Sequence, residues 1–181
     1  MNTNTNLDRK NIGVIGVGTI GGTLIQGLIK NDVISAKRIT GTTSHKKSAE
    51  EASEKYGIEV GTDNQKLVQA SDIIILAVKP QIMNSVMGEI GDLVGNDQLI
   101  ITLAAAISTN FIEKRIERNP PVVRAMPNTP ATVNQGMTVL CPGKNAAEED
   151  LLLAEGVFTP VSRVEIITEE NLMDAVTGLS G

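Results

Sequence analysis

Apolar positions along the chain follow two alternating rhythms. "NIGVIGVG" (11–18) reads as a short buried strand running into glycines. In "TIGGTLIQGLIK" (19–30), Ile20, Leu24, Ile25 and Leu28 recur at helical spacing, which predicts an amphipathic helix. "KRIT" (37–40) predicts a second strand, followed by a polar loop and a helix from about Lys46 to Tyr56. "GIEV" (57–60) predicts a third strand and "NQKLVQA" a short helix. "SDIIILAVKP" is an almost unbroken apolar run that Pro80 ends. Runs of that kind suit parallel strands buried on both faces.

The alternation continues in the second half. It predicts a helix over about 81–94, a strand at 98–104, a helix at 109–118 and a strand in "PVVRAM". "GMTVLC" predicts a further strand, "AAEEDLLLAEGVF" a helix with acids in its first turn, and "SRVEII" a last strand. From Thr168, a plausible cap, "TEENLMDAVTGLSG" starts as another helix. Strand and helix thus alternate in units of roughly 20 to 35 residues, the signature of a doubly wound, Rossmann-type α/β sheet that is mostly parallel.

Composition narrows the function. The 181 residues are 41% apolar and 20% charged, as in an ordinary globular protein, but only 2% aromatic, so Ile, Val, Leu, Ala and Met must build the core. A net charge of −5, without a basic patch interleaved with aromatics, speaks against nucleic-acid partners. Cys141 and His45 are the single cysteine and histidine, which excludes a disulfide framework and a Cys/His metal cluster. The polar stretch 1–10 lacks a secretion-signal core, and no apolar run approaches the ~20 residues of a membrane span. A cytoplasmic protein without membrane partners is the expectation.

Chemistry first shows at the junction of the first strand and helix. Gly16, Gly18 and Gly21 form G-x-G-x-x-G there: one glycine for the tight turn, one for close approach of a pyrophosphate, one for strand–helix packing. A dinucleotide-binding acid would be expected about 20 residues on, at the end of the second strand. That place reads "TGTTSHKK" (40–47), without an acid. Hydroxyls at Thr42, Thr43 and Ser44, with Lys46 and Lys47 behind them, suit a 2′-phosphate, so NADPH is favoured over NADH. His45 reads as a solvated residue beside that phosphate at most.

The glycine loop, "AVKPQ" (77–81), "ITLAAAIS" (101–108), "VVRAMPNTP" (122–130) and "DAVTGLSG" (174–181) follow one another in that order. Together they closely resemble the pyrroline-5-carboxylate reductase family. The resemblance implies an NADPH-binding Rossmann domain over 11–166, after a leader of 1–10, and the first helix of a C-terminal all-α dimerisation domain over 167–181. It implies reduction of the C=N bond of 1-pyrroline-5-carboxylate to L-proline by a homodimer. By the same resemblance Ile15, Gly16, Val17, Gly18, Thr19 and Ile20 would hold the pyrophosphate, and Thr42, Thr43 and Ser44 the 2′-phosphate side. Asn64, Ala77, Val78, Lys79 and Pro80 would line the adenosine and ribose. Ala104, Ala105 and Ala106 would approach the nicotinamide, with Asn128 as a polar contact on a proline-stiffened loop.

Two departures accompany it: Ala106 stands where the family has glycine, and the family's helical domain continues beyond Gly181, so the chain reads as the cofactor part of a longer enzyme. A related imine reductase, a β-hydroxyacid dehydrogenase and a non-catalytic NADP-binding module are the alternatives. No catalytic residue is identifiable in the sequence. Lys79 reads as cofactor-side rather than as a general acid, and Cys141 as a core residue. Arg124 reads as a structural charge, and Glu169 and Asp174 as solvated or subunit-contact residues of the last helix.

Overall fold

The computed structural model describes residues 6–127 and 136–173. Asn128, with Thr129 and Pro130, and the "DAVTGLSG" segment lie outside the described residues. The described elements run β1 (Ile12–Ile15), α1 (Thr19–Lys30), β2 (Ile39–Thr42), α2 (Lys46–Tyr56), β3 (Glu59–Gly61), α3 (Asn64–Ala70) and β4 (Ile73–Leu76). They continue with α4 (Pro80–Ile90), β5 (Leu99–Thr102), α5 (Thr109–Glu113), β6 (Val122–Pro127), β7 (Gly136–Pro142), α6 (Glu148–Phe158) and β8 (Ser162–Ile166).

These strands make one sheet in the order β3-β2-β1-β4-β5-β6-β7-β8. Pairing is parallel except between β6 and β7, where Ala125 faces Leu140 in antiparallel register. Strand order reverses between β1 and β4, and a doubly wound sheet opens its ligand crevice at the carboxyl ends of such a pair. The fold is thus the α/β, Rossmann-type sheet the alternation predicts.

The apolar run of β4 is explained by helices on both faces. Ile73 and Ile75 join a core with Leu24, Ile25 and Leu28 of α1 and Val157 and Phe158 of α6. Ile74 and Leu76 point the other way, into a core with Leu67 and Val68 of α3 and Met83, Met87 and Ile90 of α4. Each of the four is fully buried. Truncating any one to Ala would cost about 2–5 kcal/mol, because a doubly covered strand cannot close the cavity.

Several sequence expectations change in detail. The helix expected over 109–118 ends at Glu113, and that over 81–94 is α-helical only from Pro80 to Ile90, followed by a 3₁₀ turn at Gly91–Leu93. Gly91 allows that turn to press against the Arg115 carbonyl, a place with no room for a Cβ. Thr168 does not cap a helix: it lies at a bend, residues 170–171 form a turn, and helical backbone begins at 172. Ile20, expected on the buried stripe of α1, is 45% exposed at the helix's first turn. Leu7, within the polar first ten residues, tucks into the α1/α6 core. No helix among the described residues is long and apolar enough to cross a membrane.

Candidate functional site

At the switch point, the loop after β1 turns on Gly16, whose φ of +97° lies where side chains are strained. A Cβ there would also sit 2.8 Å from the Ala77 carbonyl oxygen. The loop is pinned to the neighbouring strand, because the Gly16 and Val17 N–H groups donate to the Thr42 carbonyl at 3.0 and 2.9 Å. Gly18 stands at the N-cap of α1, and a Cβ added to it meets nothing within 4 Å. Gly21 is the opposite case, its Cβ direction closed by the Gly16 carbonyl at 2.7 Å. The three glycines therefore divide into a turn, an open cradle and a close-packing position. α1 carries no acidic residue in its first turn and no side-chain cap, so its free N–H groups and dipole face the cradle. This geometry fits a pyrophosphate.

A cleft of about 710 Å³ opens beside this loop. Ile15, Gly16, Val17 and Gly18 form one wall, and Thr42, Thr43 and Ser44 the end of β2. Asn64 and the stretch Ala77, Val78 and Lys79 close the opposite side. The structure thus gathers eleven of the sequence-expected residues around one space. Thr19 lies instead on an adjoining groove between α1 and α2, with Gly22 and Tyr56. Ile20 is exposed nearby on α1, and Pro80 is the first residue of α4. Ala104, Ala105 and Ala106 follow β5 outside the cleft lining, Ala104 buried and Ala106 exposed with a φ of +59°.

Hydrogen bonds refine the hydroxyl-rich end. Thr42 Oγ1 donates to Asn64 Oδ1 at 2.7 Å, and Thr43 Oγ1 donates to the His45 carbonyl at 3.0 Å. Both threonine protons are committed, so neither hydroxyl is set to donate to an anion. Ser44 and Ser48 line the cleft at the start of α2, whose N-cap His45 makes no side-chain cap bond. That helix start, with Lys46 and Lys47 in its first turn, is the anion-friendly pole.

Sequence reasoning missed the contribution of α4. Ile82, Ser85, Val86 and Glu89 all line the cleft, at i, i+3, i+4 and i+7, so one face of the helix lies along it. The spacing was readable, but only the sheet topology places that face here. Ile82 is 48% exposed, an apolar residue that the core does not use.

Beyond the cleft, Arg124 is buried on β6 and pairs with Glu170 at 3.4 Å. Glu170 also accepts from the Thr109 N–H at 2.7 Å and its Oγ1 at 2.9 Å. Arg124 is thus held by an ion pair whose acid the sequence did not reveal, while Glu169 is exposed shortly before residue 172. Cys141 is buried, and its thiol titrates above the ordinary 9.0, first because burial opposes the thiolate and second because Glu170 lies near, with Arg124 pulling the other way. It is a core thiol. No cluster of three or more His, Cys, Asp or Glu suited to a metal ion occurs among the described residues.

Comparison with known proteins agrees with this geometry. Residues 11–106 match the family described as NADP oxidoreductase, coenzyme F420-dependent. The chain is 39% identical to a pyrroline-5-carboxylate reductase of Methanosarcina acetivorans over 97% of its own length and 64% of the relative's. A solved pyrroline-5-carboxylate reductase from Coxiella burnetii superposes with a TM-score of 0.89 at 32% identity, covering 95% of this chain and 64% of that one. The Plasmodium falciparum pyrroline carboxylate reductase, solved with NADP bound, gives 0.83 at 26% identity, covering 96% and 63%. The chain therefore spans a little under two thirds of these relatives. With its glycine cradle, switch-point cleft and likeness along nearly its whole length, the chain belongs to the family of NADP oxidoreductases described as coenzyme F420-dependent, and the relatives it resembles are pyrroline-5-carboxylate reductases.

Proposed function

We propose that this chain is the NADPH-binding part of a pyrroline-5-carboxylate reductase, an oxidoreductase acting on 1-pyrroline-5-carboxylate to give L-proline. The carrying observation is the 39% identity over 97% of the chain, since a likeness confined to the glycine loop would mark only a dinucleotide binder. NADPH supplies hydride to the C=N carbon when bound. The chain's own residues bind and orient: the Gly16–Gly18 cradle and the start of α1 take the pyrophosphate, and Ser44, Ser48 and the α2 N-terminus take the 2′-phosphate. Asn64 and the Ala77–Pro80 stretch take the adenosine ribose. Thr19 and Ile20, in the first turn of α1, continue the pyrophosphate site, and Ala104, Ala105 and Ala106 approach the nicotinamide.

In this reading residues 11–166 form the cofactor domain and 167–181 begin a helical domain through which the whole protein is a homodimer. Exposed Ile166 and Leu172, at the chain's passage towards that part, support it. The reductase is cytoplasmic, with a small-molecule substrate and no nucleic-acid or membrane partner, in keeping with the acidic net charge of −5. The test joins this chain to the remaining C-terminal part of the Methanosarcina relative and follows NADPH oxidation with 1-pyrroline-5-carboxylate. Turnover by the joined protein is expected. Cofactor binding without turnover on this substrate would contradict the assignment.

A further inference from the structure

No acid stands in residues 40–47 at the end of β2, but Glu89 reaches the same cleft from α4. Glu89 lies in the last turn of α4 and lines the same cleft as Thr42 and Asn64. A carboxylate at a helix C-terminus opposes the macrodipole, and α4 has no basic residue in its last turn. Among the described residues no Lys or Arg forms a salt bridge with it. Helix stability therefore does not account for an acid there, and a local rule broken beside a cleft points to the cleft.

Its contacts show what it does. Asn64 Nδ2 donates to Glu89 Oε2 at 2.8 Å, while Asn64 Oδ1 accepts from Thr42 Oγ1 at 2.7 Å. A second tether, Gln65 Nε2 to the Glu89 carbonyl at 3.3 Å, holds α3 and α4 in register. A carboxylate accepts and cannot donate, so it forces the NH₂ end of Asn64 towards itself. The amide oxygen must then face Thr42, which spends its one proton there and keeps only lone pairs for the cleft. Without Glu89 the amide could turn over, and the polarity of the whole relay would be lost.

We infer that Glu89 is a positioning residue for the adenosine end of the cofactor, fixing the orientation of Asn64 and the polarity of Thr42. Ile82 and Val86 on the same face of α4 supply the apolar surface beside this polar relay. The inference rests on the cofactor reading above.

The test measures dissociation constants for NADPH and for 2′,5′-ADP, which lacks the nicotinamide half, alongside thermal unfolding of each ligand-free variant. Glu89→Ala is expected to weaken both ligands about fivefold, the scale of one net hydrogen bond, with the ligand-free melting temperature unchanged. Glu89→Gln, whose carbonyl still accepts from Asn64, is expected to restore binding to within about twofold. In an Asn64→Ala background, Glu89→Ala should add no further loss. Wild-type-like binding by Glu89→Ala, failure of the Gln variant, a loss confined to NADPH, or an additive double variant would each overturn the inference alone. Absence of NADPH binding by the wild-type chain would overturn the cofactor reading and the inference with it.

Discussion

Arg124, buried on β6, forms an ion pair with Glu170 at 3.4 Å, and the same carboxylate holds the Thr109 N–H at 2.7 Å. Three segments distant in sequence thus meet on one acid: a central strand, the start of α5 and the turn after β8. The loop carrying Ala104–Ala106 ends at that clasp. Glu170→Ala removes a half-buried partner from a buried guanidinium and leaves the Thr109 N–H without its carboxylate. Destabilisation of about 2–3 kcal/mol is expected, less than for a fully buried pair because Glu170 is partly solvated. Urea unfolding measures it, and a loss under about 0.5 kcal/mol would show the clasp to be incidental.

The glycine loop separates by function. Gly21→Ala drives a Cβ to 2.7 Å from the Gly16 carbonyl, so destabilisation of about 1–3 kcal/mol is expected. Gly18→Ala meets open space, and unfolding should change by less than about 0.5 kcal/mol while NADPH affinity drops. Equal destabilisation by both would remove the argument for a cradle at Gly18.

Ala106 holds a φ of +59° on an exposed loop. Relief of the left-handed strain is worth about 1–2 kcal/mol, and the added freedom of an unfolded glycine gives back about 0.4–1. Ala106→Gly should therefore raise stability by up to about 1 kcal/mol, or roughly 2–4 °C in melting temperature. A lowered melting temperature would mean that the alanine is unstrained.

The Cys141 thiol titrates above its ordinary 9.0 because burial opposes the thiolate. The folded chain keeps this proton to higher pH than the unfolded chain does. Its contribution is complete below the unfolded pKa and is lost as pH rises through the folded one. Native Cys141 should thus resist thiol reagents at neutral pH and react after unfolding. Cys141→Ala should flatten the alkaline fall in stability, measured by denaturant titrations from about pH 9 upward. Rapid modification of the native thiol would contradict its burial.

Much of this was legible in the sequence, for identifiable reasons. β1 and β4 declare themselves because a strand covered on both faces must be apolar throughout, and Pro80 marks where β4 gives way to α4. Gly16, Gly18 and Gly21 declare a tight turn, an open position and a close-packing position because each answers a different steric demand. Glu89 and Glu170 were not legible. Each acts on a partner brought close only by the folded topology, Glu89 on Asn64 and Glu170 on Arg124, and no local periodicity encodes such meetings. The partners of the "TTS" hydroxyls were not legible either, since composition cannot reveal that Thr42 Oγ1 donates to Asn64 and Thr43 Oγ1 to the His45 carbonyl.

Calorimetric titration of the chain with NADPH and with NADH tests the central claim most directly. A single saturable NADPH site, at least about tenfold tighter than NADH, is the expected result, because one charge-assisted bond to the 2′-phosphate is worth about 1.5–3 kcal/mol. Equal affinity for the two, or no saturable binding of either, would contradict it.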